Sequence, residues 1–382
     1  MRKVHITLIG GQPLPVYHAI KALSPDYIVY IYSHDTVKVL DRIRNEVPTE
    51  GEEILMPPTD AVRIRQHAEQ LADRFAQDEV TVNISGGLKS WAFWFGTVFH
   101  RCANASVVYV DQNNILWNYN RMEYSEVHFV DLPVFFRLHG NPIDGNYTDF
   151  REHTSRDDSA VAIIEYMRRF DVQQFNALAT VLSKENQHKL RCMSEGCFEV
   201  AKYPMSYVKW KKGTADSPES VVTLNICKRN GYTQSRTISS EHIIDLVFNS
   251  GWFEYKVARM LSKWDKAKEI FLNCHFPFKP GSDKNEVDII VNAGTKLLFV
   301  ECKTQINSTT DIDKFASVKK NYGGIGSKAI FVTDAPMTEM AIKKCDDNHM
   351  LHFSIGNLEP AASAEQALVA LLDSDLYNIN AK

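Results

Sequence analysis

The sequence predicts an α/β protein of two or three domains. Its 382 residues exceed what one ordinary hydrophobic core serves. Through the first 145 residues or so, short apolar runs alternate with amphipathic helical stretches, the pattern of a parallel sheet covered on both faces. Near the C-terminal end a helix precedes a group of apolar strands, two of which carry charges inside them, and a further helix and strand follow.

In chain order, VHITLI (4–9) reads as the first strand and VYHAIKAL as the helix after it. DYIVYIYS (26–33) is the next strand, and DTVKVLDRIRNEV has helical spacing. EEILMPP, the helix DAVRIRQHAEQLADRFAQ, the strand EVTVNIS (79–85), the helix LKSWAFWFGTVFHRCA and the strand SVVYVD (106–111) continue the alternation. A Rossmann-like domain over residues 1–145 is expected, with a hairpin of ILWNYN and EVHFVDL appended.

Ligands of such sheets lie beyond the carboxyl ends of the strands. Three ends are informative: Gly10-Gly11-Gln12-Pro13, Ser85-Gly86-Gly87-Leu88-Lys89 and Asp111-Gln112-Asn113-Asn114. Ser-Gly-Gly at a helix start frees backbone N–H groups to face an anion, and Lys89 adds positive charge in the first turn. Paired glycines alone mean only a tight turn; with the lysine and two further polar strand ends on one edge, a phosphate-bearing ligand is expected. A dinucleotide fingerprint is absent, since prolines follow the first glycines and the second strand ends in Ser33 and His34 rather than an acid. NAD chemistry is thereby disfavoured.

Residues 146–240 are less regular. GNPIDGNYTDF reads as a linker, AVAIIEYMRRF and QQFNALATVLSKENQHKL as helices, and MSYVKWKKG with SVVTLNICKRNG as a hairpin. This is the basic part of the chain: residues 151–240 hold 14 Lys and Arg against 10 Asp and Glu, within a whole of net charge −4. Lys202, Lys209, Lys211 and Lys212 beside Tyr203, Tyr207 and Trp210 would suit single-stranded nucleic acid, although an ordinary exposed hairpin, the reading we favour, has the same composition. The seven cysteines show no paired CxxC spacing, so reduced thiols are expected; Cys192 and Cys197 would make half a metal site with no second half. No apolar run approaches the roughly 20 residues of a membrane helix, and MRKVHITLIGG runs straight into a fold, so a cytoplasmic protein is expected.

The third region, 241–382, begins with EHIIDLVFNSGWFEYKVARMLSKW, helical with a break at 249–251, and the strand KEIFLNCHF (268–276). Then NEVDIIVNAGTKLLFVECKTQ (285–305) places Asp288, Glu301 and Lys303 in two strands joined by a short turn. By period-2 alternation Glu286 and Asp288 share a face, as do Glu301 and Lys303, leaving Val287, Ile289, Val291, Leu298, Val300 and Cys302 to pack on the other. Adjacent half-buried carboxylates are costly unless a cation offsets them, and hard oxygen ligands favour Mg²⁺ or Mn²⁺. Such an ion stabilises the charge developed in phosphodiester hydrolysis, with Lys303 orienting the attacking water or neutralising that charge. Glu254 is a candidate third carboxylate and Gln305 a candidate neighbour, so the expected metal set is Asp288, Glu301 and Glu254. The bland alternative is a carboxylate and a Glu–Lys pair on an exposed sheet face.

The D-x(12)-E-x-K arrangement resembles the PD-(D/E)xK restriction-endonuclease-like superfamily over roughly 241–355, with Val287 where the motif name has proline. Joined to a Rossmann-like half carrying ISGGLK, the chain resembles the CARF-domain (CRISPR-associated Rossmann fold) effector nucleases of type III CRISPR immunity, of the Card/Can class. The resemblance implies a homodimer that binds cyclic oligoadenylate, commonly cyclic tetra-adenylate, across its two-fold axis and then cleaves single-stranded RNA or DNA. It also implies a ligand-sensing domain at 1–145, a linking segment at 146–240 and a nuclease domain at 241–382. Residues matching the family's ligand loops are Gln12, Ser85, Gly86, Gly87 and Lys89, with Asp111, Gln112 and Asn113 as weaker matches. Two other readings are a nucleotide-sensing regulator with a silent nuclease fold, and a stand-alone repair or restriction nuclease.

Overall fold

The computed structural model describes the chain except residues 144–146, 181–192, 201–204, 249, 277–284, 295, 307, 324–326, 360–361 and 378–382. The structure is a mixed α/β protein built on three sheets. The first contains strands β1 (Lys3–Leu8), β2 (Tyr27–Tyr32), β3 (Gly51–Leu55), β4 (Glu79–Asn83), β5 (Ala105–Val110), β6 (Ile115–Asn118) and β7 (Glu123–Glu126), in the order β3-β2-β1-β4-β5-β6-β7. The first five are mutually parallel. Helices Ala61–Arg74 and Lys89–Phe99 cover one face; Leu14–Leu23 and Val37–Glu46 cover the other. Apolar strands such as β1, buried at every position from Val4 to Leu8, require this two-sided cover.

The appended hairpin differs from expectation in register. Its second strand is Glu123–Glu126, exposed throughout, and not the apolar EVHFVDL. Val130 and Leu132 leave the sheet to bury themselves at the start of helix Leu132–His139. Leu132 and Phe136 of that helix join a core with Phe276 and Phe299, while Leu138 packs with the first sheet.

The second sheet has four antiparallel strands where the sequence indicates two: β9 (Glu195–Glu199), β10 (Tyr207–Lys211), β11 (Ser220–Cys227) and β12 (Thr233–Ser240). β9 and β12 escape notice because they are edge strands, largely exposed and mostly polar. Helices Ser155–Phe170 and Val172–Ala179 pack on this sheet within a core shared with helices Ile243–Phe248 and Gly251–Leu261. Trp210 is buried edge-to-face against Phe248 rather than offered for base stacking, whereas Lys209 and Lys211 are exposed. Lys202 and Tyr203 lie outside the described residues. The six described cysteines form no disulfide with one another, and Cys192 lies outside the described residues. Among the described residues no helix is long and apolar enough to cross a membrane.

The third sheet runs β17-β16-β15-β14-β13-β8, with β8 (Thr148–Asp149), β13 (Glu269–Phe276), β14 (Asn285–Asn292), β15 (Leu297–Lys303), β16 (Ser327–Thr333) and β17 (Leu351–Ser354). The two-residue β8, drawn from the stretch that reads as a linker, pairs with Phe271 and Leu272. Helices Gly251–Leu261 and Ala364–Tyr377 cover one face, and Thr310–Tyr322 and Glu339–Asp347 the other.

Both faces of the β14–β15 hairpin are therefore buried, which corrects the expected division into one packed and one charged face. Ile290 and Phe299, expected on the charged side, are fully buried. The faces also exchange within β14. Leu272 and Ile289 belong to one core, but the next pair along the ladder, Cys274 and Val287, belongs to the other. Between them Asn273, at φ 55°, makes no ladder pair opposite Asp288. That break in the pleat decides where Asp288 points.

Candidate active site and ligand edge

The β14–β15 ladder stops at the pair Ile289–Val300. One residue further the strands diverge, and the Asp288 side chain fills the gap: the Cys302 N–H donates to its Oδ2 at 2.7 Å. Glu301 and Lys303 project from β15 toward the same point. Lys303 Nζ lies 2.6 Å from Glu301 Oε1 and 3.6 Å from Asp288 Oδ2. The carboxylates keep 13% and 15% side-chain exposure, enough for a ligand to reach them but too little for water to screen them fully.

Glu254 comes from helix Gly251–Leu261, whose first residue passes beneath the preceding helix. A Cβ on Gly251 would sit 2.8 Å from the Asp245 carbonyl oxygen, so only glycine permits this approach. Burial lifts the Glu254 carboxyl well above the usual range, and the nearby Asp288 charge lifts it further. Burial also raises Asp288, against the pull of Lys303. Glu301 is pushed up to about 7 by burial and then by Asp288. Burial alone would lower Lys303, but Asp288 and Glu301 outweigh it and raise the ammonium above its ordinary value. Two carboxylates on one ammonium, with Glu254 raised by the Asp288 charge beside them, are oxygen donors of the kind a divalent cation takes. Gln305 lies exposed in the bend beyond β15. Glu286 is exposed and turns toward His275, 3.8 Å away.

A ring of charges around this cluster has no signal in the sequence. Asp334, just past β16, donates its N–H to the Lys303 carbonyl at 3.3 Å. Its carboxylate meets Arg168 at 2.8 Å and Lys256 at 3.8 Å, and Lys256 reaches Glu165 at 2.6 Å. Helix Ser155–Phe170 is thus ion-paired to the helix that carries Glu254 and to Asp334, the residue bonded to the Lys303 carbonyl. These partners lie up to 166 residues apart.

At the carboxyl edge of the first sheet, the loops after β1 and β4 are pressed together. A Cβ on Gly10 would lie 2.7 Å from the Gly87 nitrogen, one on Gly86 would collide with the Leu8 carbonyl, and Gly87 has φ 72°. Buried Asn83 organises the edge: its amide lies 3.3 Å from Thr7 Oγ1 and from the Pro15 carbonyl, and its Oδ1 accepts from the Ser85 hydroxyl at 2.5 Å. The Ser85 Oγ in turn accepts the Val110 N–H at 2.6 Å. Ser85 is occupied in joining β4 to β5. Asp111 is likewise occupied, its Oδ1 accepting from Asn113 and Ile115 N–H and its Oδ2 from the Trp117 indole. Exposed on the edge are Gln12, Lys89, Gln112 and Asn113.

This edge touches the β14–β15 hairpin. Asn114, at φ 59°, donates from Nδ2 to the Gly294 carbonyl at 3.3 Å. Gly294 closes the β14–β15 turn, and Asn292 beside it holds the Val130 carbonyl and Glu269, which also accepts the Leu132 N–H.

No protein-family model and no curated protein matches the chain. Solved structures share its fold. Can2 from Sulfobacillus thermosulfidooxidans in complex with cyclic tetra-adenylate aligns over 97% of this chain and 98% of its own at 18% identity, TM-score 0.62. Protein VC1899 from Vibrio cholerae aligns over 97% and 98% at 16% identity, TM-score 0.70. A type III CRISPR defence DNA nuclease activated by cyclic oligoadenylate aligns over 94% of this chain, which spans 49% of that one, at 14% identity, TM-score 0.56.

Proposed function

We propose that this chain is a metal-dependent nuclease of the PD-(D/E)xK kind, switched on by a cyclic oligoadenylate and acting on single-stranded RNA or DNA in type III CRISPR defence. The observation that carries the reading is the convergence of Asp288, Glu301 and Lys303 at the break in the third sheet, in a chain whose fold matches a cyclic tetra-adenylate complex from end to end.

Asp288, Glu301 and Glu254 would hold Mg²⁺ or Mn²⁺, which supplies Lewis-acid stabilisation of the scissile phosphate when bound. The chain's own contribution is positional. The Cys302 N–H fixes one Asp288 oxygen, and Lys303 keeps its charge beside the site to orient the attacking water and offset the negative charge of the transition state. Gln305, exposed in the bend beyond β15, would meet substrate.

At the other end, Gln12, the Gly86-Gly87 turn, Lys89, Gln112 and Asn113 would read phosphates and bases, with Ser85 and Asp111 shaping the loops that carry them. A homodimer suits this ligand because a ring of like nucleotides has rotational symmetry, so that two copies of one edge can read its two halves. Purified protein with Mn²⁺ is expected to cleave labelled RNA or DNA strongly only when cyclic tetra-adenylate is present. Equal cleavage without it would remove the switch, and no turnover with any divalent metal or cyclic oligoadenylate would leave a sensor.

The bond from Asn114 to the Gly294 carbonyl joins the sensing edge to the hairpin bearing Asp288 and Glu301. If ligand binding shifts the 111–114 loop, the turn between the two catalytic strands feels it. Asn114→Ala is expected to lower the ratio of stimulated to unstimulated cleavage by roughly 2- to 30-fold. An unchanged ratio would route the coupling elsewhere.

A further inference from the structure

A second metal-ligating set lies apart from the carboxylates of the nuclease site. His153 precedes helix Ser155–Phe170, Asp157 stands in that helix's first turn, and His242 follows β12. One ligand atom from each falls within 4.8 Å of the others. His153 Nδ1 is 3.3 Å and His242 Nδ1 3.2 Å from the same Asp157 oxygen, Oδ2.

Two features set this cluster apart from a surface ion pair. Asp157 is 1% exposed, and its ion-pair partners among the described residues are the two imidazoles alone. If both rings were neutral, a buried carboxylate would stand without a compensating cation, an expensive state. Moreover, Asp157 Oδ1 and His153 Nε2 are buried with no hydrogen-bond partner among the described residues, in side chains that are both more than nine-tenths buried. Buried polar atoms of this kind are paired in the great majority of native structures.

The distances suit ligation as well as hydrogen bonding. Charge-assisted N–H···O bonds run to about 2.7–2.9 Å. A tetrahedral shell with metal–ligand bonds of about 2.0–2.1 Å has ligand–ligand edges of about 3.3 Å, close to the two separations found. The Thr154 N–H also donates to Asp157 Oδ2 at 2.9 Å, which fixes the carboxylate's orientation. The two imidazole rings are 4.3 Å apart between centroids, and the Tyr255 ring stands edge-on to His153 at 4.8 Å.

We propose that His153, Asp157 and His242 supply three of the four ligands of a structural zinc site that ties helix Ser155–Phe170 to the end of β12. Two nitrogen donors and one carboxylate suit Zn²⁺ and not the all-oxygen preference of Mg²⁺. The clamp bears on the nuclease site mechanically. Tyr255 follows Glu254 directly, packs on His153, and donates its hydroxyl to Asp158 at 2.7 Å.

The test uses the full chain, stripped with a chelator and titrated with Zn²⁺ against a chromophoric competitor, with Co²⁺ absorption reporting coordination geometry. Wild type is expected to take up one Zn²⁺ equivalent that excess Mg²⁺ leaves in place, and to give the intense visible bands of tetrahedral cobalt. Glu301→Gln should keep that equivalent. His153→Asn and His242→Asn, with circular dichroism matching wild type, should lose it. Failure of the wild type to bind Zn²⁺ overturns the proposal, as does retention by both histidine variants or a loss that follows Glu301→Gln. Because the readout is metal content and spectrum, a chain that is no nuclease at all can still pass or fail it.

Discussion

Glu301→Gln is expected to lower metal-dependent, ligand-stimulated cleavage by roughly 10²- to 10³-fold, the cost of removing one preorganised charge-stabilising group from a catalytic site. The same substitution should stabilise the metal-free protein, and this pairing of effects separates a functional carboxylate from a structural one. In the metal-free site the Glu301 carboxyl is pushed from 4.5 up to about 7, by burial and then by Asp288. Between those values the native state binds more protons than the unfolded chain, so stability falls as pH rises through that window. Above pH 7 the loss is complete, and glutamine, which carries no charge, escapes it. Melting curves in chelator should therefore place the variant above wild type at pH 8 by a few degrees, the gap closing below pH 4.5. Adding Mn²⁺ should stabilise wild type more than the variant and narrow the gap. A structural Glu301–Lys303 pair predicts the reverse at pH 8: the variant melts lower, having left Lys303 without its 2.6 Å partner.

The parts of this molecule legible in the sequence are those specified by local pattern. β1, β2, β4 and β5 read correctly because strands buried on both faces must be continuously apolar. The trio Asp288, Glu301 and Lys303 was visible because charges interrupt such strands only for a reason, and the short turn between them brings the two strands alongside. The exchange of faces at Asp288 was not visible. It depends on Asn273 adopting a positive φ in a neighbouring strand, and strict period-2 counting has no place for that. β9 and β12 were illegible for a different reason: their half-exposed faces carry serines, threonines and glutamates, so the apolar signal of a strand is missing. Long-range polar contacts were equally silent. Nothing near Asp157 announces that His242, 85 residues on, will share its oxygen. At the carboxyl edge of the first sheet the sequence could not distinguish Ser85 and Asp111, whose side chains are spent on Val110, Asn83, Ile115 and Trp117, from neighbours left facing outward.

That distinction gives the second large effect. Lys89→Ala is expected to weaken binding of cyclic tetra-adenylate by roughly 10²- to 10⁴-fold. A hydrogen bond to a charged group contributes about 1.5–3 kcal/mol, and a two-fold dimer reading a symmetric ring forfeits it twice, giving about 3–6 kcal/mol. Lys89 is the first residue of its helix and is exposed, so little of the loss should come from folding. Ser85→Ala is the contrasting case. It removes the acceptor for the Val110 N–H and the donor to Asn83, and should lower the melting temperature while its effect on ligand follows from a loosened loop. Titration calorimetry of both variants, alongside their melting curves, separates the roles. If Lys89→Ala binds the ring as wild type does, the anion is not held at this helix start, and the glycines of this edge serve only to let two loops meet.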